Sequence, residues 1–369
     1  MIWCSNPRAS YLAHRAEIDE AMARVLASNR YILGEEVAAF ETDFASYIGV
    51  SYGVGVASGT DALMLALKAV GVGPGDEVIT VSFTSVATVA AIELAGGVPV
   101  LVDIEPDYYT IDPASVAQVI TPRTKAIVPV HLYGQPAALA ELSALAKANS
   151  IALIEDCAQA HGALYRGRRV GSWGAAGCFS FYPTKNVGAL GDGGMVVTSD
   201  TAVAELVRQL RQYGWNDQRI SLTSGVNSRL DELQAAVLRV KLRYLDEERL
   251  ARERVAQTYQ SALKASNFTL PVVRDDAAHA WHLYVVRSPA REALRAQLRK
   301  QGIEASVHYP LAVHQQPAYA ERLTGSNNLR HTDAACSSVL SIPIYPQMTV
   351  QEVAGVLAAL QSCRVAAVG

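Results

Sequence analysis

No stretch of about 18 apolar residues, the least that crosses a bilayer as a helix, occurs in the chain, so no transmembrane helix is expected. Long runs of lysine or arginine are missing too, and 32 basic against 35 acidic residues leave a formal net charge of only -3. That balance offers neither a nucleic-acid footprint nor a membrane-surface patch, so the expected partners are small molecules or copies of the chain itself. Cysteine is scarce: Cys4, Cys157, Cys178, Cys336 and Cys363 are scattered, odd in number and never spaced as CxxC. Such a set points away from a disulfide framework or a thiolate metal centre, and no metal site is expected. Each thiol reads as a small packing residue in a reducing cytoplasm. The opening MIWCSNPRASYLAHRAEIDEAM has no apolar core of signal-peptide length and carries charge throughout.

What the chain does have is bulk and rhythm. Its 369 residues are 50% hydrophobic, enough for a large core and for about two domains at roughly 150 residues each. From Tyr52 onward short β-rich runs, at 53–57, 77–81, 98–102, 126–129, 152–155, 178–180 and 195–198, alternate with Ala-rich helical runs such as 61–70, 86–94 and 138–148. That alternation predicts a three-layer α/β/α sandwich with a mostly parallel sheet. After Asp231 the pattern becomes one long helical stretch, DELQAAVLRVKLRYLDEERLARERVAQTYQSAL, read as the connector into a smaller domain. The expected division is a large α/β domain over 1–245 and a small α+β domain over 246–369, the latter with a strand near 283–287 and helices near 291–301 and 350–360.

The most informative segment is IALIEDCAQAHGALYRGRRVGSWGAAGCFSFYPTKNVGALGDGGMVVT, residues 151–198. Its apolar strand ends in Glu155 and Asp156, and carboxyl ends of parallel strands are where ligands bind. Pyridoxal-phosphate (PLP) aminotransfer needs an acid facing the pyridinium nitrogen and a lysine that forms a Schiff base and then moves a proton. Asp156 and Lys185 fit those needs. Taken singly, Asp156 reads as a helix cap and Lys185 as a solvated loop charge, and their joint occurrence favours the catalytic reading. GVGVASGTDALMLAL supplies a strand, the turn Ser58-Gly59-Thr60 and a helix start, a place where backbone N–H groups hold phosphate. An SGT turn is also ordinary N-capping. Ser180 is a second hydroxyl donor for the same phosphate.

The motifs ASGTDAL, GDEVIT, IEDCAQAHGA, FSFYPTKNVGALGDGG, GVNSRLDELQAAVL and VHYPLAVHQQPAY, in this order, resemble the nucleotide-sugar aminotransferase family (DegT/DnrJ type) of fold-type-I PLP enzymes over nearly the whole chain. The resemblance implies that Lys185 holds PLP, Asp156 pairs with its ring nitrogen, and Gln159 lies against the ring near its phenolic oxygen. It further implies that Gly59, Thr60 and Ser180 hold the phosphate. Asn227 would reach the phosphate in a neighbouring subunit, which implies a homodimer with shared active sites. Many relatives carry an aromatic on the PLP face where SFTSVAT has Ser85, and Phe83, two residues away on an extended chain, is the candidate stacking partner. Substrate-side candidates are His161, Tyr213, Arg229, His308, Tyr309 and His314. Arg229 suits the donor's carboxylate, or else a salt bridge with Asp231.

The activity so implied transfers an amino group from L-glutamate to a keto-sugar nucleotide. RQLRQYGW followed by GVNSRLDE most resembles members acting at C3 of dTDP-linked 3-keto-6-deoxyhexoses. Amination at C4 of a 4-keto sugar nucleotide and amination of a keto-inositol are the alternatives within this chemistry. A catalytically silent PLP-binding regulator is the alternative outside it, and retention of Asp156 and Lys185 argues against that reading. Similar PLP-dependent dehydratases carry histidine in place of the Schiff-base lysine, so Lys185 discriminates against them.

Overall fold

The alternating pattern folds as one seven-stranded sheet between helical layers in the computed structural model, which describes residues 1–320, 322–325 and 327–363. The strands are β1 (Tyr52–Val56), β2 (Glu77–Val81), β3 (Val98–Val102), β4 (Thr124–Ile127), β5 (Ala152–Asp156), β6 (Ala176–Ser180) and β7 (Gly194–Thr198). Their spatial order is β1-β7-β6-β5-β4-β2-β3. β7 alone runs against its neighbours, and the other six point the same way. The expected mostly parallel, three-layer α/β architecture is therefore what forms. All five residues of β2 and of β7 are buried, as a sheet covered on both faces requires.

Two apolar layers sandwich this sheet. One is built around Phe40, Phe44, Phe83, Phe179 and Phe181, the other around Leu63, Leu65, Leu67, Ile92 and Val207. The helix Gly59–Ala69 begins at the carboxyl end of β1 and lies across the second layer, with Ala62 through Leu67 all buried.

The helical stretch after Asp231 is broken. It forms Glu232–Leu242 and Leu245–Leu263, with Arg243 and Tyr244 between them. The second helix packs its Val255, Ala256, Tyr259 and Leu263 into a separate apolar cluster with Leu294, Leu298, Leu340, Ile342 and Val356. That cluster sits on a two-stranded antiparallel sheet of β8 (Tyr284–Arg287) and β9 (Val339–Ile342), backed by the helices Arg291–Lys300 and Val350–Ser362. The amino terminus joins this smaller body: Ile2 bridges to Ile303 and packs in the same cluster. No helix among the described residues is long and apolar enough to cross a membrane.

Candidate active site

The carboxyl ends of the parallel strands surround a cavity of about 280 Å³. Ser58, Gly59 and Thr60 follow β1, Thr84 and Ser85 follow β2, Val130 follows β4, Asp156 ends β5, Ser180 ends β6, and Lys185 lies in the loop after it. Parallel strands release their chain at one edge of the sheet, so residues up to about 125 positions apart in this sequence converge there.

Asp156 is buried at the base of the cavity. Its Oδ2 accepts from Thr88 Oγ1 at 2.9 Å and its Oδ1 from the Ala158 N–H at 3.1 Å. Burial nevertheless holds its pKa above the usual carboxylate range, because lost solvation outweighs these hydrogen bonds and the nearby Lys185 charge. A cation against Asp156 would reverse that direction. Lys185 shows the mirror image: although part of its surface opens to the cavity, the surrounding protein strips its solvation and lowers its pKa to about 8, with Asp156 opposing. A lysine so tuned is the neutral amine, the form that attacks a carbonyl and takes a proton, about a tenth of the time at pH 7, far more often than a free lysine. Its loop is anchored on two sides: Lys241 Nζ donates to the Gly188 carbonyl at 2.6 Å, and Asn186 Nδ2 to the Ala280 carbonyl at 2.8 Å.

The opposite end of the cavity is a helix start. Ser58 caps the helix Gly59–Ala69 by accepting from the Asp61 N–H at 3.1 Å, and the N–H groups of Gly59 and Thr60 carry no hydrogen bond to another described residue. Gly59 is required: a Cβ there would meet Ser180 Cβ at 2.6 Å. Free backbone donors, the Ser180 hydroxyl and the positive end of a helix dipole together suit a phosphate. Ser228 Oγ donates to Asp61 at 2.7 Å and accepts from the Ala57 N–H at 3.0 Å, bracing the turn from the segment that carries Asn227. The donor set of phosphate cradle, buried acid and a lysine of lowered pKa around one cavity fits PLP.

Gln159 and Tyr309 close the wall between the two ends. The amide of Gln159 is fixed by accepting from the Tyr133 N–H at 2.7 Å and donating to Tyr309 Oη at 3.1 Å. Tyr309 thus belongs to the cavity. Its neighbour His308 instead holds Ser341 Oγ through Nδ1 at 2.9 Å, and burial followed by the Lys185 charge lowers its pKa to about 4.

Two expectations, Phe83 and His161, need correction, and the other candidates lie as follows. Phe83 does not face the cavity: the extended alternation ends at Val81, and the fully buried Phe83 ring packs with Tyr109 and Tyr133 in the core, leaving Ser85 on the cavity wall. His161 lies among Phe44, Phe179 and Phe181, has no accessible surface, and both ring nitrogens lack a partner among the described residues, so it contacts no substrate. His314 is spent on a tertiary contact, its Nδ1 2.7 Å from Ser82 Oγ. Tyr213 packs on Trp215 in a surface loop and does not line this chain's cavity. Arg229 stands in a second, larger concavity with Arg30, Arg208, Arg211 and Arg219, and it forms no ion pair with Asp231 among the described residues. Asn227 is exposed and outside this chain's cavity.

Sequence reasoning missed Thr88, Tyr182 and Asp192, which also line or brace the site. Thr88 lies in the first turn of the helix Val86–Ala95, with its hydroxyl 3.0 Å from that of Thr84, and no local pattern in the sequence marks it.

Residues 13–361 match the model of the DegT/DnrJ/EryC1/StrS aminotransferase family. The chain is 47% identical over 342 residues, 92% of it and 90% of the relative, to the dTDP-3-amino-3,4,6-trideoxy-alpha-D-glucose transaminase of Streptomyces venezuelae. It is 49% identical over 356 residues, 96% of it and 97% of the relative, to the erythromycin biosynthesis sensory transduction protein EryC1 of Saccharopolyspora erythraea. The crystal structure of S. venezuelae DesV in complex with a ketimine intermediate superposes with a TM-score of 0.95 at 45% identity, covering 98% of this chain and 97% of that one.

Proposed function

This chain belongs to the DegT/DnrJ/EryC1/StrS aminotransferase family, and from that premise we propose that it transfers the amino group of L-glutamate to C3 of a dTDP-linked 3-keto-6-deoxyhexose. The observation that carries the reading is the single cavity in which Lys185 and Asp156 meet the Ser58–Thr60 helix start. The C3 position and the dTDP handle rest on likeness to the Streptomyces transaminase.

Bound PLP supplies an electrophilic carbon and, through its ring, a sink for the electrons left at the substrate carbon. In this reading Asp156 holds the ring nitrogen in its protonated form, with Thr88 and the Ala158 N–H fixing the carboxylate's aim. Ser58, Gly59, Thr60 and Ser180 hold the phosphate, and Gln159 fixes the ring against Tyr309. With the cofactor bound, the freed Lys185 amine would carry the proton from the donor's α-carbon to the cofactor's reactive carbon. 2-Oxoglutarate would leave with uptake of one water, the ketosugar nucleotide would enter with release of one, and Lys185 would carry the proton in the opposite direction. The cycle is ping-pong.

Asn227 serves the neighbouring subunit's phosphate in a homodimer with shared sites. Supporting this, the Tyr213–Asn227 loop exposes Ile220, Leu222 and Val226, an apolar surface suited to burial against another copy. Arg229 is the residue of this face suited to an anionic substrate group. The domain boundary is placed at 245/246, beside the break between the two helices after Asp231.

The test is product analysis with L-glutamate and either the 3-keto or the 4-keto isomer of a dTDP-6-deoxyhexose. An amine at C3, formed from the 3-keto isomer alone, is expected. Amination of the 4-keto isomer alone, or of neither, contradicts the assignment.

A further inference from the structure

Directly beside Asp156 in the chain stands Glu155, which has no accessible surface and which the chemistry above does not use. Successive strand residues point to opposite faces, so Glu155 faces away from the cavity that Asp156 enters. Its Oε1 accepts from the N–H groups of Trp173 at 2.7 Å and Gly174 at 3.0 Å. Its Oε2 accepts from the Gly171 N–H at 2.7 Å and lies 3.1 Å from Nε2 of the fully buried His131. The His131 tautomer follows from its other nitrogen: Nδ1 accepts the Ala137 N–H at 3.0 Å and so carries no hydrogen, which places the ring hydrogen on Nε2, donating to Glu155. Every oxygen of Glu155 thus receives two donors. The main chain repeats the tie, since the His131 N–H donates to the Asp156 carbonyl at 3.0 Å and the Asp156 N–H to the Pro129 carbonyl at 2.9 Å.

His131, Glu155 and Cys157 also lie close enough together to suggest a metal site. The hydrogen bonds speak against it: both His131 nitrogens and both Glu155 oxygens are engaged, and burial holds the Cys157 thiol well above its ordinary pKa, away from the thiolate a metal needs.

We propose that His131 is a positioning residue for the aminotransfer site: its Nε2–H, through the buried Glu155 carboxylate and the turn Gly171–Gly174, fixes the end of β5 and so the direction in which Asp156 meets the cofactor ring. The inference rests on the functional reading above for its last link only. Without the imidazole, Glu155 loses one of four donors in a site where water cannot replace it, and the strand end gains freedom next to the residue whose aim the chemistry needs.

The test uses the full-length protein with His131→Phe, which keeps a planar ring without hydrogen bonds, and His131→Gln, whose amide can accept from Ala137 and donate to Glu155. Two readouts are taken: hydrogen exchange at the amides of Gly171, Trp173 and Gly174 in cofactor-free protein, and affinity for PLP and for its 1-deaza analogue, whose ring lacks the nitrogen. For His131→Phe we expect about tenfold faster exchange at these amides and about tenfold weaker PLP binding, the equivalent of one charge-assisted hydrogen bond, with deaza-analogue affinity within about twofold of wild type. His131→Gln should restore most of both. Equal weakening of PLP and the analogue, or unchanged exchange and affinity, would overturn the proposal. Should His131→Phe fail to fold, Glu155→Gln, which keeps the side-chain shape without its charge, is measured in the same way against the same outcomes. If wild-type protein binds no PLP, the functional reading fails while the exchange result still tests the clamp.

Discussion

Lys185 is the residue on which most depends, and its chemistry is testable without any substrate. Its amine should react with a small acylating reagent in cofactor-free protein with half-maximal rate near pH 8, since burial lowers its pKa to about that value and only the neutral amine is nucleophilic. A midpoint near that of a free lysine, about 10.4, contradicts the burial argument. The linkage has a definite sign. Between about pH 8 and the unfolded pKa the unfolded chain binds the extra proton, so this group makes the apo protein more stable as pH rises through that window. For Asp156 the test is Thr88→Val: loss of the 2.9 Å hydrogen bond pushes an already raised pKa further up and weakens PLP binding about tenfold, measured by equilibrium titration. Unchanged affinity would remove Thr88 from the site. Asp156 and Lys185 were legible because their local sequence is dense in strand-end and loop signals. Phe83 and His161 were not, because a lone aromatic or imidazole does not announce which face it takes. The alternation that would have aimed Phe83 stops at Val81, and His161 is enclosed by Phe44, Phe179 and Phe181, which come from two stretches of chain more than 100 residues apart.

At the scale of elements, the site depends on how closely the helix Gly59–Ala69 approaches β6. Gly59→Ala puts a methyl 2.6 Å from Ser180 Cβ, a crowding that either moves the helix start or tilts the strand end. Overpacking of this kind costs about 1–3 kcal/mol. Because the same movement separates the two halves of the phosphate cradle, PLP affinity should fall at least about tenfold, more than for Ala69→Gly at the far end of the helix. Calorimetry and cofactor titration check the two parts, and a variant with wild-type affinity would show that this turn holds no phosphate. The seven strands of the large sheet and β8 were read from sequence to within about two residues, since each is a short buried β-rich run between turn residues, whereas β9 was not. The break at Arg243 and Tyr244 was not legible: no Gly or Pro marks it, and LRVKLRYLDEER keeps helical propensity throughout. The break is a tertiary matter, where the chain passes from packing on the helices Arg15–Ala27 and Glu35–Ile48 to packing on the small sheet. Pairing of Ile2 with Ile303 escapes local pattern for the same reason, since it joins segments about 300 residues apart.

For the whole molecule, the parallel order of six strands explains why one edge gathers the cavity residues from Ser58 to Lys185, and this much follows from the βαβ rhythm alone, whereas Tyr309 comes from the smaller body. Shared active sites do not follow from one chain, and they carry their own test. In a mixed dimer of Lys185→Ala and Asn227→Asp chains, one of the two sites combines a native Lys185 with a native Asn227. Co-refolded at equal amounts, the two inactive variants should regain about a quarter of wild-type activity, the statistical share of native sites in a twofold assembly. Recovery no greater than the sum of the parents would place Asn227 outside the neighbouring site. The central claim, aminotransfer through Lys185, is met most directly by the near-ultraviolet and visible absorbance of the PLP-reconstituted protein before and after L-glutamate, for wild type and Lys185→Ala. The account predicts a visible band of lysine-bound cofactor that gives way to the near-ultraviolet band of pyridoxamine phosphate on adding glutamate, with no such lysine-bound band in the variant. A wild-type spectrum without the visible band, or a band that glutamate leaves unchanged, would contradict it.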